Sequence, residues 1–158
     1  MPRPGAERKE GIDVAIELCF IDLQHPDYAG ERALRFRVLR EPFGEPPGSE
    51  WFDFEPDSLH LVAVDAGRVV GCVLFHPESA KTGRLYQMAV EPERQGSRVG
   101  SALVRGLEAE LVRRGVGEVT LHARDTALPF YEKLGYASFG APWTEIGIVH
   151  HHMRRGLR

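Results

Sequence analysis

Two hydrophobic periods alternate along the chain and divide it into elements. From Val14 to Ile21, β-branched and aromatic residues crowd into a strand pattern that stops at the turn-prone His25, Pro26 and Asp27. Over Glu31–Arg40 the period changes: Ala33, Leu34 and Val38, with apolar neighbours, recur at helical spacing until Pro42, which has no N–H to continue a helix. Strand patterns return at His60–Asp65, Arg68–His76 and Gly83–Glu91, the first pair joined at Ala66 and Gly67, and predict an antiparallel meander. After Pro92, Val99, Leu103, Leu107 and Leu111 fall on one face of a helix that ends before Gly115. Val119–Ala123 reads as a strand and Thr126–Leu134 as a short helix stopped at Gly135. Strands around Tyr136–Phe139 and Glu145–Met153 follow. The order β, α, loop, β, β, β, α, β, α, β, β belongs to a mixed α/β domain and not to a regular doubly wound one.

Length and composition narrow this to one domain. A chain of 158 residues with 42% hydrophobic content fills one core and is short for two. We read residues 12–158 as that domain, preceded by a flexible tail, Met1–Gly11, which is polar and lacks the apolar stretch of a secretion signal. The expected location is cytoplasmic. The longest unbroken apolar run, Val69–Phe75, is far below the roughly 20 residues of a membrane-spanning helix. A net charge of −3 gives no basic excess for nucleic acid. Cys19 and Cys72 both sit in apolar strand patterns and are expected as buried free thiols.

Chemistry concentrates between Leu85 and Gly100. The strand Leu85–Val90 runs through Glu91, Pro92, Glu93 and Arg94 into Gln95, Gly96, Ser97, Arg98, Val99 and Gly100, where a helix begins. A turn of small residues at a helix start offers unpaired N–H groups and the positive end of the helix dipole, which suits a diphosphate. Taken alone, the same pattern also describes a plain connection. A second stretch reads Ala127, Leu128, Pro129, Phe130, Tyr131, Glu132, Lys133, Leu134, Gly135, Tyr136.

Together, these stretches resemble the GNAT superfamily of acyl-CoA-dependent N-acetyltransferases: an apolar-Ala-Val strand end, a Gln-led glycine turn into a helix, then an aromatic, Tyr, two residues, Leu, Gly and an aromatic. The match runs from about His60 to Met153. It implies a central, mostly antiparallel mixed sheet flanked by helices, acetyl-CoA as acyl donor, and no metal. It further implies that Met88, Ala89 and Val90 pair with the pantetheine arm where antiparallel strands diverge. Gln95, Gly96, Ser97, Arg98, Val99, Gly100 and Ser101 would hold the diphosphate, with Arg124 and Phe130 also at the cofactor. The chain departs from the family at Arg98, where glycine is usual, and at Arg124, where many relatives carry Asn. A right-handed helical Arg98 still presents its N–H, and its guanidinium either reaches the phosphates or lies solvated on the helix.

The implied reaction is direct attack of a primary amine on the thioester. Tyr131, matched to the family tyrosine, would protonate the leaving thiolate; otherwise it is a half-buried aromatic packing its helix. His122 is the first candidate for the base, ahead of Glu145, His150 or a relayed water. His150 and His152 share a strand face, but with His151 they lack the companion ligands of a zinc site. The segment Glu41–Asp57 holds six acids, four prolines and the aromatics Phe43, Trp51, Phe52 and Phe54, with no Lys or Arg. It is either a solvated loop pinned by its rings or a cradle for a cationic amine through Trp51, Asp53 and Glu55. The acceptor, a small molecule or peptide, is unspecified by the sequence, and a homodimer is compatible with it. The competing reading is an acyl-CoA-binding sensor that never turns over.

Overall fold

The computed structural model describes residues 16–158. The tail Met1–Gly11 and the start of the first strand at Val14 lie outside the described residues.

Seven strands form one sheet in the order β1-β2-β3-β4-β5-β7-β6. They are β1 (Ile16–Ile21), β2 (Leu59–Asp65), β3 (Arg68–Pro77), β4 (Thr82–Val90), β5 (Glu118–Arg124), β6 (Ala137–Glu145) and β7 (Ile148–Gly156). Every neighbouring pair is antiparallel except β4 and β5. The helices are α1 (Tyr28–Leu39), α2 (Val99–Arg113) and α3 (Leu128–Lys133). Alternation of side chains across the strands splits the core into two layers. Leu61, Val73, Phe75, Leu85, Val119 and Leu121 meet Leu103, Leu107 and Leu111 of α2 and Tyr131 of α3 on one face. Val62, Cys72, Leu74, Tyr86 and Ala89 meet Leu34 of α1 on the other. No helix among the described residues is long and apolar enough to cross a membrane.

Three expectations need correction. Glu145 ends β6 and does not open the last strand. The hairpin turn is Ile146–Gly147, with φ of +49° and +74°. A turn of two left-handed residues normally announces itself with Asn or Asp before glycine, and a 90% exposed isoleucine hides the signal. Cys19 is exposed, because β1 is an edge strand; Cys72 is buried, and both are free. Helix α1 starts at Tyr28, three residues ahead of the periodic pattern.

Residues 41–57 form two single 3-10 turns, Glu41–Phe43 and Glu55–Asp57, joined by loop. A buried charge cluster fastens them to α1. Glu31, Arg35 and Glu55 have no exposed surface and His60 is 1% exposed. Glu55 accepts from Arg35 Nη1 and Nη2 at 2.9 and 2.5 Å, from the Tyr28 hydroxyl at 2.7 Å and from the Phe52 amide at 2.9 Å. Glu31 accepts from Arg35 at 2.9 Å and faces His60 Nδ1 at 2.9 Å. His60 Nε2 lies 3.0 Å from the Glu55 carbonyl. Both imidazole nitrogens face groups that only accept, so both carry protons and the cluster holds two cations against two anions. Desolvation opposes that charge on His60, but the Glu31 hydrogen bond and the Glu31 field outweigh it and raise its pKa. Removing one member of such a neutral set strands a buried charge, which typically costs about 3–5 kcal/mol.

Candidate active site

Between β4 and β5 the sheet opens. Their parallel pairing lasts three rungs, Thr82↔Glu118, Gly83↔Val119 and Arg84↔Thr120, and stops. The cause lies in β4. Its register against β3 jumps from Leu74↔Tyr86 to Cys72↔Ala89, leaving Gln87 and Met88 together opposite Val73. Gln87 takes φ +52°. A bulge of this kind bends its strand, here away from β5. Cys72 Sγ donates to the Gln87 carbonyl at 3.4 Å and Arg35 Nε reaches its side-chain oxygen at 3.5 Å, bracing the bulge from the α1 side. The diverging strands are therefore a parallel pair, where an antiparallel one was expected. Beyond the bulge, Met88 and Val90 pack with the α2 layer and Ala89 with the α1 layer.

The turn after β4 delivers α2 to this opening. Pro92–Arg94 makes one 3-10 turn. Gln95 Nε2 then donates to the Val90 carbonyl at 3.0 Å, closing the loop back on the strand end. The Ser97 amide donates to the Arg94 carbonyl at 3.2 Å and the Ser97 hydroxyl to the same oxygen. Among the described residues no main-chain carbonyl accepts from the amides of Gly96, Arg98, Val99, Gly100 or Ser101. Gly96 has φ +87° and a Cβ there would touch nothing, so glycine serves backbone conformation and not space. Gly100 serves space: its Cβ would stand 3.2 Å from the Phe130 ring. Arg98, exposed at the N-cap, has φ +66° and ψ +14°, so it is left-handed and not right-handed. The chain keeps the glycine conformation while changing the residue.

Tyr131 lies beneath this turn on α3, 6% exposed, its ring 4.9 Å from Phe130 and 5.9 Å from Tyr136. Its hydroxyl has no hydrogen-bond partner among the described residues. Burial raises its pKa, so the phenol keeps its proton.

The α1-side face of β5, β7 and β6 carries a ring cluster that the sequence reading resolved only in part. His122 meets Trp143 at 4.9 Å and His152 at 4.8 Å, and Trp143 stacks on His150 at 5.5 Å. Desolvation first, then Arg84, His152 and His150, push the His122 pKa down to about 4 against a smaller upward pull from Glu145. His122 is thus neutral near pH 7 and only weakly basic. His151 points to the other face and pairs with Asp125 at 2.8 Å. Among the described residues the histidines do not gather for a metal. Among the described residues the only grouping with such spacing is Glu31, Glu55 and His60, whose donor atoms the charge cluster already occupies.

The candidate acceptor residues are scattered. Glu55 is buried and bonded to Arg35, Tyr28 and Phe52, which removes it from any acceptor site. Trp51 donates to Asp53 at 3.0 Å beneath the Arg32 guanidinium, and no hydrogen bond, ion pair or ring contact joins either residue to β4, β5, β6 or β7. The loop meets β5 instead at Phe43, whose ring lies 4.2 Å from the Arg124 guanidinium. Phe43 as a contact of the site was missed; the aromatic content of the loop was its one visible signal.

Residues 26–157 match the acetyltransferase (GNAT) domain family. A mycothiol acetyltransferase of Kocuria rhizophila is 31% identical over 121 residues, 72% of this chain and 38% of that protein, so the chain spans well under half of that relative. A Lactobacillus plantarum crystal structure superposes with a TM-score of 0.82 at 22% identity, covering 91% of this chain and 99% of the other. An aminoglycoside 6'-N-acetyltransferase complexed with coenzyme A gives 0.74 at 20% identity, covering 89% and 96%.

Proposed function

Because the chain belongs to the GNAT acetyltransferase family, whose general reaction uses acetyl-CoA, we propose that it moves the acetyl group of acetyl-CoA onto a primary amine by direct attack. The observation that carries this reading is the coincidence of the β4–β5 opening with the row of unpaired amides at Gly96 and Arg98–Ser101. Those amides, with the α2 dipole, hold the diphosphate. The pantetheine arm fills the opening and pairs with the main chain of Met88 and Val90, and Ala89 lets it pass close to the strand. A β4 N–H at this place polarises the thioester carbonyl, an effect of about 3 kcal/mol per donor. Phe130 closes the site behind Gly100.

The amine nitrogen attacks the thioester carbon, the C–S bond breaks, and the departing thiolate takes the Tyr131 proton. The attacking nitrogen sheds its own proton to water through His122. An imidazole with pKa about 4 accepts it only transiently. Isothermal titration with acetyl-CoA followed by thiol-release assays over an amine panel tests the whole reading. Amine-dependent thiol release supports it. Tight binding without release would favour a sensor, a reading that the left-handed Arg98 at the family glycine keeps in play.

A further inference from the structure

Most arginines among the described residues are neutralised by carboxylates. Arg32 pairs with Glu50, Arg35 with Glu31 and Glu55, Arg37 with Glu91, Arg68 with Glu93, and Arg155 with Glu108. Of those that are not, Arg98, Arg154 and Arg158 are exposed and Arg40 donates to the Ser49 and Leu39 carbonyls, which leaves Arg84 and Arg124. Both are half-buried, both lie at the β4–β5 opening, and among the described residues neither has a carboxylate within 4.0 Å. Arg84 stands at the apex, in register with Thr120 on the last paired rung. His122 and Arg124 follow on the same face of β5, each about 7 Å further along the strand. The Arg124 guanidinium rests against Phe43, and Arg154, on the same face in register with Thr120, rests against Phe139 at 4.6 Å. Two acids share this face: Glu145, which accepts from Trp143 Nε1 at 3.1 Å, and Glu118, on the rung at the closed end. Neither reaches a guanidinium.

A half-buried guanidinium without a counter-ion has lost part of its hydration without an ionic hydrogen bond in exchange, whereas a planar oxyanion satisfies it with two parallel hydrogen bonds. We propose that Arg84 and Arg124 form an oxyanion-recognition site on the α1 side of the opening, so that the acceptor is an amine bearing a carboxylate or phosphate, with its apolar part against Phe43 and Trp143. This rests on the acetyl-transfer reading. It replaces a cationic acceptor with an anionic one, since Glu50 and Glu55 of the 41–57 loop are paired with Arg32 and Arg35 of α1 and these arginines face the opening.

The test separates the two layers. Acetyl-CoA affinity is measured first, by calorimetry on the full chain; its absence would sink acetyl transfer itself. Thiol release is then compared for phenylalanine against phenylalaninamide, and for O-phosphoethanolamine against ethanolamine. The anionic member of at least one pair is expected to have a kcat/KM at least tenfold higher, and which pair responds tells carboxylate from phosphate. Arg84→Met should erase that preference with acetyl-CoA affinity within twofold of wild type, and Arg124→Met should erase it too. Weakened acetyl-CoA binding in Arg124→Met would return that side chain to the cofactor and overturn the proposal, as would equal rates for both members of each pair. In parallel, the His122 imidazole resonances of the CoA complex are followed during addition of 3-phenylpropionate, 3-phenylpropionamide or inorganic phosphate. Saturable shifts with an anion and none with the amide support the site; no response to either anion overturns it.

Discussion

Arg98 bears the cost of a left-handed backbone that glycine would adopt freely, roughly 1 kcal/mol for an unbranched side chain. Arg98→Gly relieves this but loosens the unfolded chain by a similar amount. Urea denaturation should therefore show a change under about 1 kcal/mol for Arg98→Gly. Arg98→Val, with a β-branched side chain in the same region, should lose at least about 1 kcal/mol more. Equal stability of the two variants would mean that the N-cap of α2 rearranges. Tyr131→Phe removes a hydroxyl that has no protein partner, so folding should be unaffected. Turnover should fall on the order of 100-fold at unchanged acetyl-CoA affinity, and a wild-type rate would remove Tyr131 from the chemistry. His60 gives a pH signature. Its pKa is raised on folding, so its contribution to stability is complete below the unfolded value of about 6.5 and disappears as pH climbs through the folded one. Wild type should lose stability from neutral to alkaline pH in thermal melts. His60→Gln, less stable throughout, should lack that component.

At the scale of elements, the join between β3 and β4 leaves no room for a side chain at Gly83. A Cβ on Gly83 would fall 2.2 Å from the Phe75 ring and 2.6 Å from the His76 carbonyl oxygen, and main chain cannot step aside as a side chain does. Gly83→Ala should cost about 2–3 kcal/mol in denaturant titrations and disturb the only rungs that join β4 to β5. The sequence pattern foretold the strands β2 to β4 and the apolar stripe of α2 because each is a local periodicity. It left unresolved whatever depends on a partner strand. The parallel β4–β5 pairing, the bulge at Gln87 and the boundary between β6 and β7 carry no periodic mark. The candidate site shows the same division. The glycine turn and Tyr131 were readable as a motif. By contrast, Glu55 looked like an acid in an acidic loop, and only the approach of α1 shows it bound to Arg35. Arg84 attracted no notice, since what distinguishes it is the missing carboxylate.

For the molecule as a whole, the charge cluster around Arg35 couples distant parts of the chain. It joins α1, the 41–57 loop and β2, and touches the bulge at Gln87. Arg35→Met should destabilise by about 3–5 kcal/mol through stranded Glu31 and Glu55. Whatever fraction folds should also bind acetyl-CoA more weakly, because the bulge loses its brace. If calorimetry on folded Arg35→Met returns the wild-type affinity, the bulge is held by β3 alone.

The early end of the β4–β5 ladder leaves an edge inside the sheet. Past Arg84 and Thr120, peptide groups that would face a neighbouring strand face the opening. In the unliganded protein they meet solvent, and deuterium should enter the amides of Met88 and Val90 far faster than those of β2 and β3. In the proposed reading, a bound acyl-CoA would act there as a missing eighth strand. It should slow that exchange and raise the melting temperature in proportion to the logarithm of its concentration.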